Sequence, residues 1–122
     1  MAKILIIEDE RLLAEMYSDK FTQSGYEVVV AFESEEGLEI AKKEKPDLIL
    51  LDILLPKENG ICFLAKLRKE PEISSVPVIA FSNYDVPETK EEAERLGVKE
   101  YLIKTNHTPQ ELVERVKLYL KP

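Results

Sequence analysis

The sequence holds very little that could cross-link it, anchor it or bind it to nucleic acid. Its single cysteine, Cys62, allows no intrachain disulfide, which excludes a secreted disulfide scaffold. No apolar run approaches the roughly 18 residues of a membrane span. The first such run, ILII at 4–7, is cut short by acidic residues, so no secretory signal is expected either. Positive charge is also scarce. Lysines and arginines number 17 against 24 aspartates and glutamates, a formal charge of −7. Nucleic-acid binding needs a basic footprint, so this chain is expected to contact neither nucleic acid nor membrane. There is no internal repeat, low-complexity tract or linker. What remains is a cytoplasmic protein of one domain, residues 1–122, long enough to bury about two thirds of its unfolded surface without staples. The carboxylate surplus serves either solubility or a divalent cation.

Two apolar patterns alternate along the chain. KILII at 3–7 is a short continuous run of the kind found in strands covered on both faces, and Tyr26–Phe32, Asp47–Asp52, VPVIAFS at 76–82 and Glu100–Ile103 read as four further strands. Between them lie helical patterns. The first carries Leu12, Leu13, Met16, Tyr17 and Phe21 at three- and four-residue spacings, with Gly25 as its stop. Ser34 reads as the N-cap of a second helix through Leu38 and Ala41, ended before Pro46. A third helix spans about Gly60–Lys69, with Cys62 as a small buried apolar residue. A charged fourth runs from Pro87 to Leu96, its stretch ETKEEAER at 88–95 a solvated face, with Gly97 as its stop. The last opens on Thr108-Pro109-Gln110-Glu111, a cap, a proline at the first helical position and a capping-box glutamate, and continues through Leu120. Five strands alternating with five helices predict an α/β, doubly wound three-layer sandwich around a parallel sheet.

In such a sheet, sites form outside the carboxyl ends of the strands, where strand order reverses. Glu8 and Asp9 follow the first strand, Asp52 ends the third, Ser82 the fourth, and Lys104 follows the fifth. Taken singly, each has an ordinary explanation as a cap, turn or solvated residue. Together they fall on one rim. If the first and third strands are neighbours, three carboxylates meet there, and like charges at short range raise one another's pKa. A hard divalent cation such as Mg²⁺ would neutralise them through one or two carboxylates and several waters. Asp9 and Asp52 are the expected direct ligands, with Glu8 direct or through water. Lys104 adds an ammonium and Ser82 a hydroxyl. A carboxylate so flanked is prepared to attack phosphorus, which gives Asp52 the role of nucleophile.

These motifs give the chain a family likeness. ILIIEDE with Glu8 and Asp9, LILLDILLPKENG around Asp52, VIAFS ending at Ser82 and YLIK ending at Lys104 resemble the receiver domain of two-component response regulators, over essentially the whole length. The resemblance is to single-domain receivers of the chemotaxis-regulator type. It implies a flavodoxin-like fold with strand order 2-1-3-4-5. It also implies that Asp52 accepts a phosphoryl group from the phosphohistidine of a sensor histidine kinase or phosphotransfer protein, or from a small phosphodonor, with Mg²⁺ (or Mn²⁺) required. Ser82 would then move toward the phosphoryl group and Tyr101 would change rotamer. That change would alter the face of the fourth helix, fifth strand and fifth helix, where a downstream protein binds.

Several positions depart from the family's pattern. Leu54, two residues after Asp52, offers the metal only its backbone carbonyl. Its side chain and that of Tyr84 are expected to flank an acyl phosphate and to slow its hydrolysis. Asn83 replaces the usual alanine or glycine after Ser82, and its amide would either crowd the phosphoryl group or hydrogen-bond to it. Thr105 replaces the usual proline after Lys104, so the peptide bond there is expected to be trans. His107 is a solvated loop residue. The expected function is a phosphorylation-dependent switch, not an enzyme acting on separate substrates, and self-phosphorylation and self-dephosphorylation are its only chemistry. Two rivals are a phosphorylation-independent receiver-like interaction module and a small Mg²⁺-dependent aspartyl-nucleophile phosphotransferase. The chain ends at Pro122, just after the fifth helix, as a complete regulator or as a receiver cut from a longer protein.

Overall fold

The computed structural model describes residues 1–120. The chain runs β1 (Lys3–Ile7), α1 (Arg11–Gln23), β2 (Glu27–Ala31), α2 (Ser34–Glu44), β3 (Leu48–Leu51) and α3 (Gly60–Arg68). It continues with β4 (Val78–Ser82), α4 (Pro87–Arg95), β5 (Glu100–Ile103), a single 3₁₀ turn (Lys104–Asn106) and α5 (Pro109–Lys117). All neighbouring strands pair in parallel, in the order β2-β1-β3-β4-β5. No helix among the described residues is long and apolar enough to cross a membrane.

Side chains alternate across each strand, and in the central three both faces are apolar, so the sheet must be covered twice. Ile4, Ile6, Leu48, Leu50, Ile79 and Phe81 form one core with Tyr17 and Phe21 of α1 and Leu112, Val113 and Val116 of α5. Leu5, Ile7, Ile49, Leu51, Val78 and Ala80 form the other with Ala41 of α2, Phe63, Leu64 and Leu67 of α3 and Ala93 of α4. The register keeps the faces consistent, pairing Ile4 with Leu48 and Ile7 with Leu51. Tyr17 meets Phe81 edge to face, ring centroids 5.3 Å apart.

The helix signals act largely as expected. Gly25 (φ +97°) and Gly97 (φ +84°) take the left-handed conformation that ends α1 and α4. The Thr108 hydroxyl accepts the Glu111 N–H at 3.1 Å, and the Glu111 carboxylate accepts the Thr108 N–H at 2.7 Å. Only Ala93 of α4 is buried, so ETKEEAER is a solvated face.

Other expectations need correction. Ser34 is not a side-chain cap. It is the first residue of α2, and its buried hydroxyl donates to Glu58 at 2.7 Å, tying α2 to the loop before α3. Cys62 is exposed, because Phe63, Leu64 and Leu67 form the face of α3 that meets the sheet. Leu12 and Met16 also face solvent, and α1 is held through Ala14, Tyr17 and Phe21. α5 ends at Lys117, short of Leu120, and β3 ends one residue before Asp52.

Arg68 closes the far end of the second core. Its guanidinium donates to the carbonyls of Leu96 (2.7 Å), Gly97 (3.2 Å), Ser74 (3.1 Å) and Val76 (2.7 Å). These carbonyls end α4 and lead into β4, so one planar fork joins both loops to the end of α3. Hydrogen bonds to a charged donor are the stronger kind, and removing the donor strands their acceptors. Arg68→Ala is expected to lower stability by about 2 kcal/mol, and Arg68→Lys to recover less than half, because an ammonium cannot span four carbonyls. Urea denaturation of both variants checks this, and a lysine variant as stable as the parent would count against the fork.

Candidate functional site

The strand order decides which polar residues meet. β1 and β3 are neighbours, so Glu8 and Asp52, each one residue past its strand, emerge side by side. Asp52 N–H donates to Ile7 O at 3.0 Å, and Glu8 N–H to Ala31 O at 3.0 Å, so both backbones are held by the sheet. The loop after Asp52 folds back closely, with Gly60 N–H donating to Ile53 O at 2.8 Å. A Cβ at Gly60 would lie 2.7 Å from Asp52 O and 2.9 Å from Ile53 Cα, so only glycine permits this approach. Asn59 then caps α3, its side-chain oxygen accepting the Cys62 N–H at 3.0 Å.

Glu8 and Asp52 are buried at 3 % and 7 % exposure, while Asp9 is exposed. One carboxylate oxygen from each of the three lies within 4.8 Å of the others. Lys104 spans the buried pair, donating to Glu8 Oε1 and, at 3.1 Å, to Asp52 Oδ2. The other oxygens take backbone donors: Glu8 Oε2 accepts Glu10 N–H at 3.1 Å, and Asp52 Oδ1 accepts Leu54 N–H at 3.3 Å. Burial, followed by the charge of Asp52, raises the Glu8 pKa against the pull of Lys104. Burial also works against the Lys104 ammonium, but Glu8 and Asp52 outweigh it and its pKa is raised. Three carboxylates thus stand against one ammonium in this cluster. Three hard oxygen donors in that state fit a small divalent cation.

Ser82 stands on the same rim, fully buried, its hydroxyl oxygen accepting Tyr84 N–H at 3.1 Å. Tyr101 reaches the same loop and donates its hydroxyl proton to Tyr84 O at 2.5 Å. Burial pushes the Tyr101 phenol up to about 12, with Asp52 adding to the effect, so it is a proton donor throughout the physiological range. Asn83, between them, turns its amide oxygen to the backbone of Thr105 and accepts its N–H at 3.1 Å. No peptide bond among the described residues is cis, including the one before Thr105. Leu54 and Tyr84 are both exposed and, with Ile53, Ile61 and Cys62, line one cleft of about 280 Å³. His107 is half-buried just after the 3₁₀ turn.

Glu8, Asp9, Asp52 and Lys104, expected together from the sequence, do meet. Ser82 and Tyr101 are linked to each other through Tyr84, and Asn83 ties the same segment to the turn that carries Lys104. The Asn83–Thr105 bond has no sequence signal beyond Thr105 itself, which supplies the N–H that proline would lack. The partners are 22 residues apart. Arg68 had none, since an arginine near a helix end reads as an ordinary C-terminal cation.

Comparison with known proteins agrees with the geometry. The family model of the response regulator receiver domain matches residues 4–117. The polar-differentiation response regulator DivK of Brucella ovis is 32% identical over 117 residues, covering 96% of this chain and 94% of its own length. The alkaline phosphatase synthesis transcriptional regulatory protein PhoP of Bacillus subtilis is 35% identical over 119 residues, and the chain spans 48% of its length. Among solved structures, the chemotaxis protein CheY4 of Vibrio cholerae superposes with a TM-score of 0.91 at 28% identity, over 98% of this chain and 99% of that one. The fold, the rim and these likenesses agree: the chain belongs to the response regulator receiver domain family of two-component signalling.

Proposed function

We propose that this chain is a phosphorylation-controlled switch in which Asp52 accepts a phosphoryl group from a phosphohistidine of a sensor histidine kinase or phosphotransfer protein. One observation carries the reading. Asp52 sits at the end of a rigid central strand with an ammonium 3.1 Å away and two more carboxylates within 4.8 Å. Glu8, Asp9 and Asp52 would hold Mg²⁺ or Mn²⁺, with the Leu54 backbone carbonyl as a further oxygen donor. Such an ion, when bound, lends positive charge to the phosphoryl oxygens.

An Asp52 carboxylate oxygen forms the new P–O bond as the P–N bond of the phosphohistidine breaks, its electron pair passing to the imidazole nitrogen. Lys104 keeps its charge and pairs with the phosphoryl oxygens as negative charge gathers on them. Ser82 accepts from Tyr84 through a lone pair, so its own proton is free to be donated to a phosphoryl oxygen. That donation draws the loop at 82–84 toward Asp52. Tyr101, bonded to Tyr84 O, moves with the loop and changes the α4–β5–α5 face that a downstream protein reads. In keeping with the family, the chain is a regulator and not an enzyme with its own substrate pool.

Three outcomes are expected. Incubation with Mg²⁺ and acetyl phosphate adds one phosphoryl mass to the intact protein, and Asp52→Asn abolishes it. A parent chain that gains no mass would favour an interaction module independent of phosphorylation. Second, a Glu8 pKa above its ordinary 4.5 means the proton competes with the cation at higher pH than for a free glutamate. Mg²⁺ affinity, measured by calorimetry, should therefore begin to fall above that range as pH drops, and Glu8→Gln should flatten the upper part of the profile. A parent profile that falls only below it counts against Glu8 as a ligand. Third, Leu54 and Tyr84 shield the acyl phosphate from water. Replacing both with serine should shorten the phospho-Asp52 lifetime about tenfold, roughly 1.4 kcal/mol of barrier. An unchanged or longer lifetime sinks the shielding role.

A further inference from the structure

We propose that Asn83 is a positioning residue for Lys104, acting as a remote cap on the 3₁₀ turn that carries it. This inference rests on the reading of Asp52, Lys104 and the acidic pair as the working site. The first N–H groups of a helical turn have no partner inside it. The 3₁₀ turn begins at Lys104, and the residue before it, Ile103, makes no side-chain cap bond. The Thr105 N–H is one of those unpartnered donors, and Asn83 Oδ1 accepts it from the other side of the rim. Asparagine is a preferred helix cap because its short side chain presents a fixed acceptor, and here it does so across 22 residues of sequence.

The consequence follows from what lies on either side of the bond. Thr105 is the neighbour of Lys104, whose ammonium bridges Glu8 and Asp52. Asn83 is the neighbour of Ser82 and Tyr84, which are already joined to each other and to Tyr101. The bond therefore ties the lysine turn to the switch loop. It holds Lys104 over the carboxylates while the site is unphosphorylated, and it obliges the turn to follow when the loop moves. A lysine held there competes with a divalent cation for Glu8 and Asp52, yet it is also the group that must be in place when a phosphoryl oxygen arrives. Removing the cap should push these two properties in opposite directions. General loosening of the rim would weaken both.

The test uses the whole chain with Asn83→Ala, Asn83→Leu, which keeps the bulk without an acceptor, and Asn83→Asp, which keeps the acceptor. One neutral hydrogen bond corresponds to about a three- to tenfold change in an equilibrium. Without Mg²⁺, amide exchange at Thr105 should quicken by about that factor in the alanine and leucine variants and stay near the parent rate in the aspartate variant. In the first two, calorimetry should show Mg²⁺ binding about threefold tighter. The maximal rate of phosphoryl addition from acetyl phosphate, at saturating Mg²⁺, should fall by a similar factor, with the half-saturating donor concentration unchanged.

Unchanged exchange at Thr105 overturns the inference. So does joint weakening of Mg²⁺ binding and phosphorylation, or a leucine variant that matches the parent, since bulk alone would then explain the residue. A parent that binds Mg²⁺ but takes up no phosphoryl group refutes the proposed function, and the exchange and Mg²⁺ measurements still decide the role of Asn83. A parent that binds no Mg²⁺ overturns both.

Discussion

The ammonium of Lys104 between two buried carboxylates is the interaction on which the rim depends. Side-chain exposure is 10 % for Lys104, 4 % for Glu8 and 8 % for Asp52, so little solvent screens these charges. Taking one partner from a buried ion pair costs about 3–5 kcal/mol, because the other charge is left uncompensated. Each of the three also has a second tie. Glu8 and Asp52 accept the N–H groups of Glu10 and Leu54, and the Lys104 turn is capped from Asn83. The lysine satisfies the two buried acids but leaves Asp9 exposed and Glu8 harder to ionise than an ordinary glutamate. Three oxygen donors against one ammonium are a set suited to a cation.

The two sides of this rim are held differently. The acidic side stands on β1 and β3, strands fully buried on both faces apart from the first residue of β1 and locked by main-chain hydrogen bonds at their carboxyl ends. The opposite side is the end of β4 and the loop that follows it, where three bonds link Ser82 to Tyr84, Tyr84 to Tyr101 and Asn83 to Thr105. A fixed carboxylate facing this loop is the arrangement that the proposed switch requires, a local chemical event at Asp52 being passed on as a change of surface. Deeper in the molecule, Arg68 anchors the far end of α4 without any carboxylate, through four carbonyls. The end of α4 is thus fixed to the end of α3.

The sequence was most legible where one periodicity governs many residues. Runs such as ILII and LILL require strands covered on both faces, and the Thr108–Glu111 signature requires a capped helix start; both are as expected. The rim residues were legible for the same reason, since each stands at or just past the carboxyl end of a strand. Errors fell where a side chain's direction depends on a partner far away. Ser34 has the chemistry of a cap, but Glu58 claims its hydroxyl. Cys62 has the chemistry of a core residue, but its place on α3 faces water. Leu12 fits the helical period and still points outward at 83 % exposure, because α1 rests on the sheet through its other side.

By itself the sequence determined the alternation of strands and helices and the set of groups gathered at the strand ends, because hydrophobic period and chain order are local properties. Only the tertiary structure decided which of those groups touch. β1 and β3 had to be neighbours for Glu8 and Asp52 to share Lys104. The loop at 82–84 had to lie against the turn after β5 before Asn83 could accept a hydrogen bond from the Thr105 N–H. Hydrogen bonds and ion pairs act over about 3 Å, and residues 22, 52 or 96 positions apart come within that reach only after the sheet has formed.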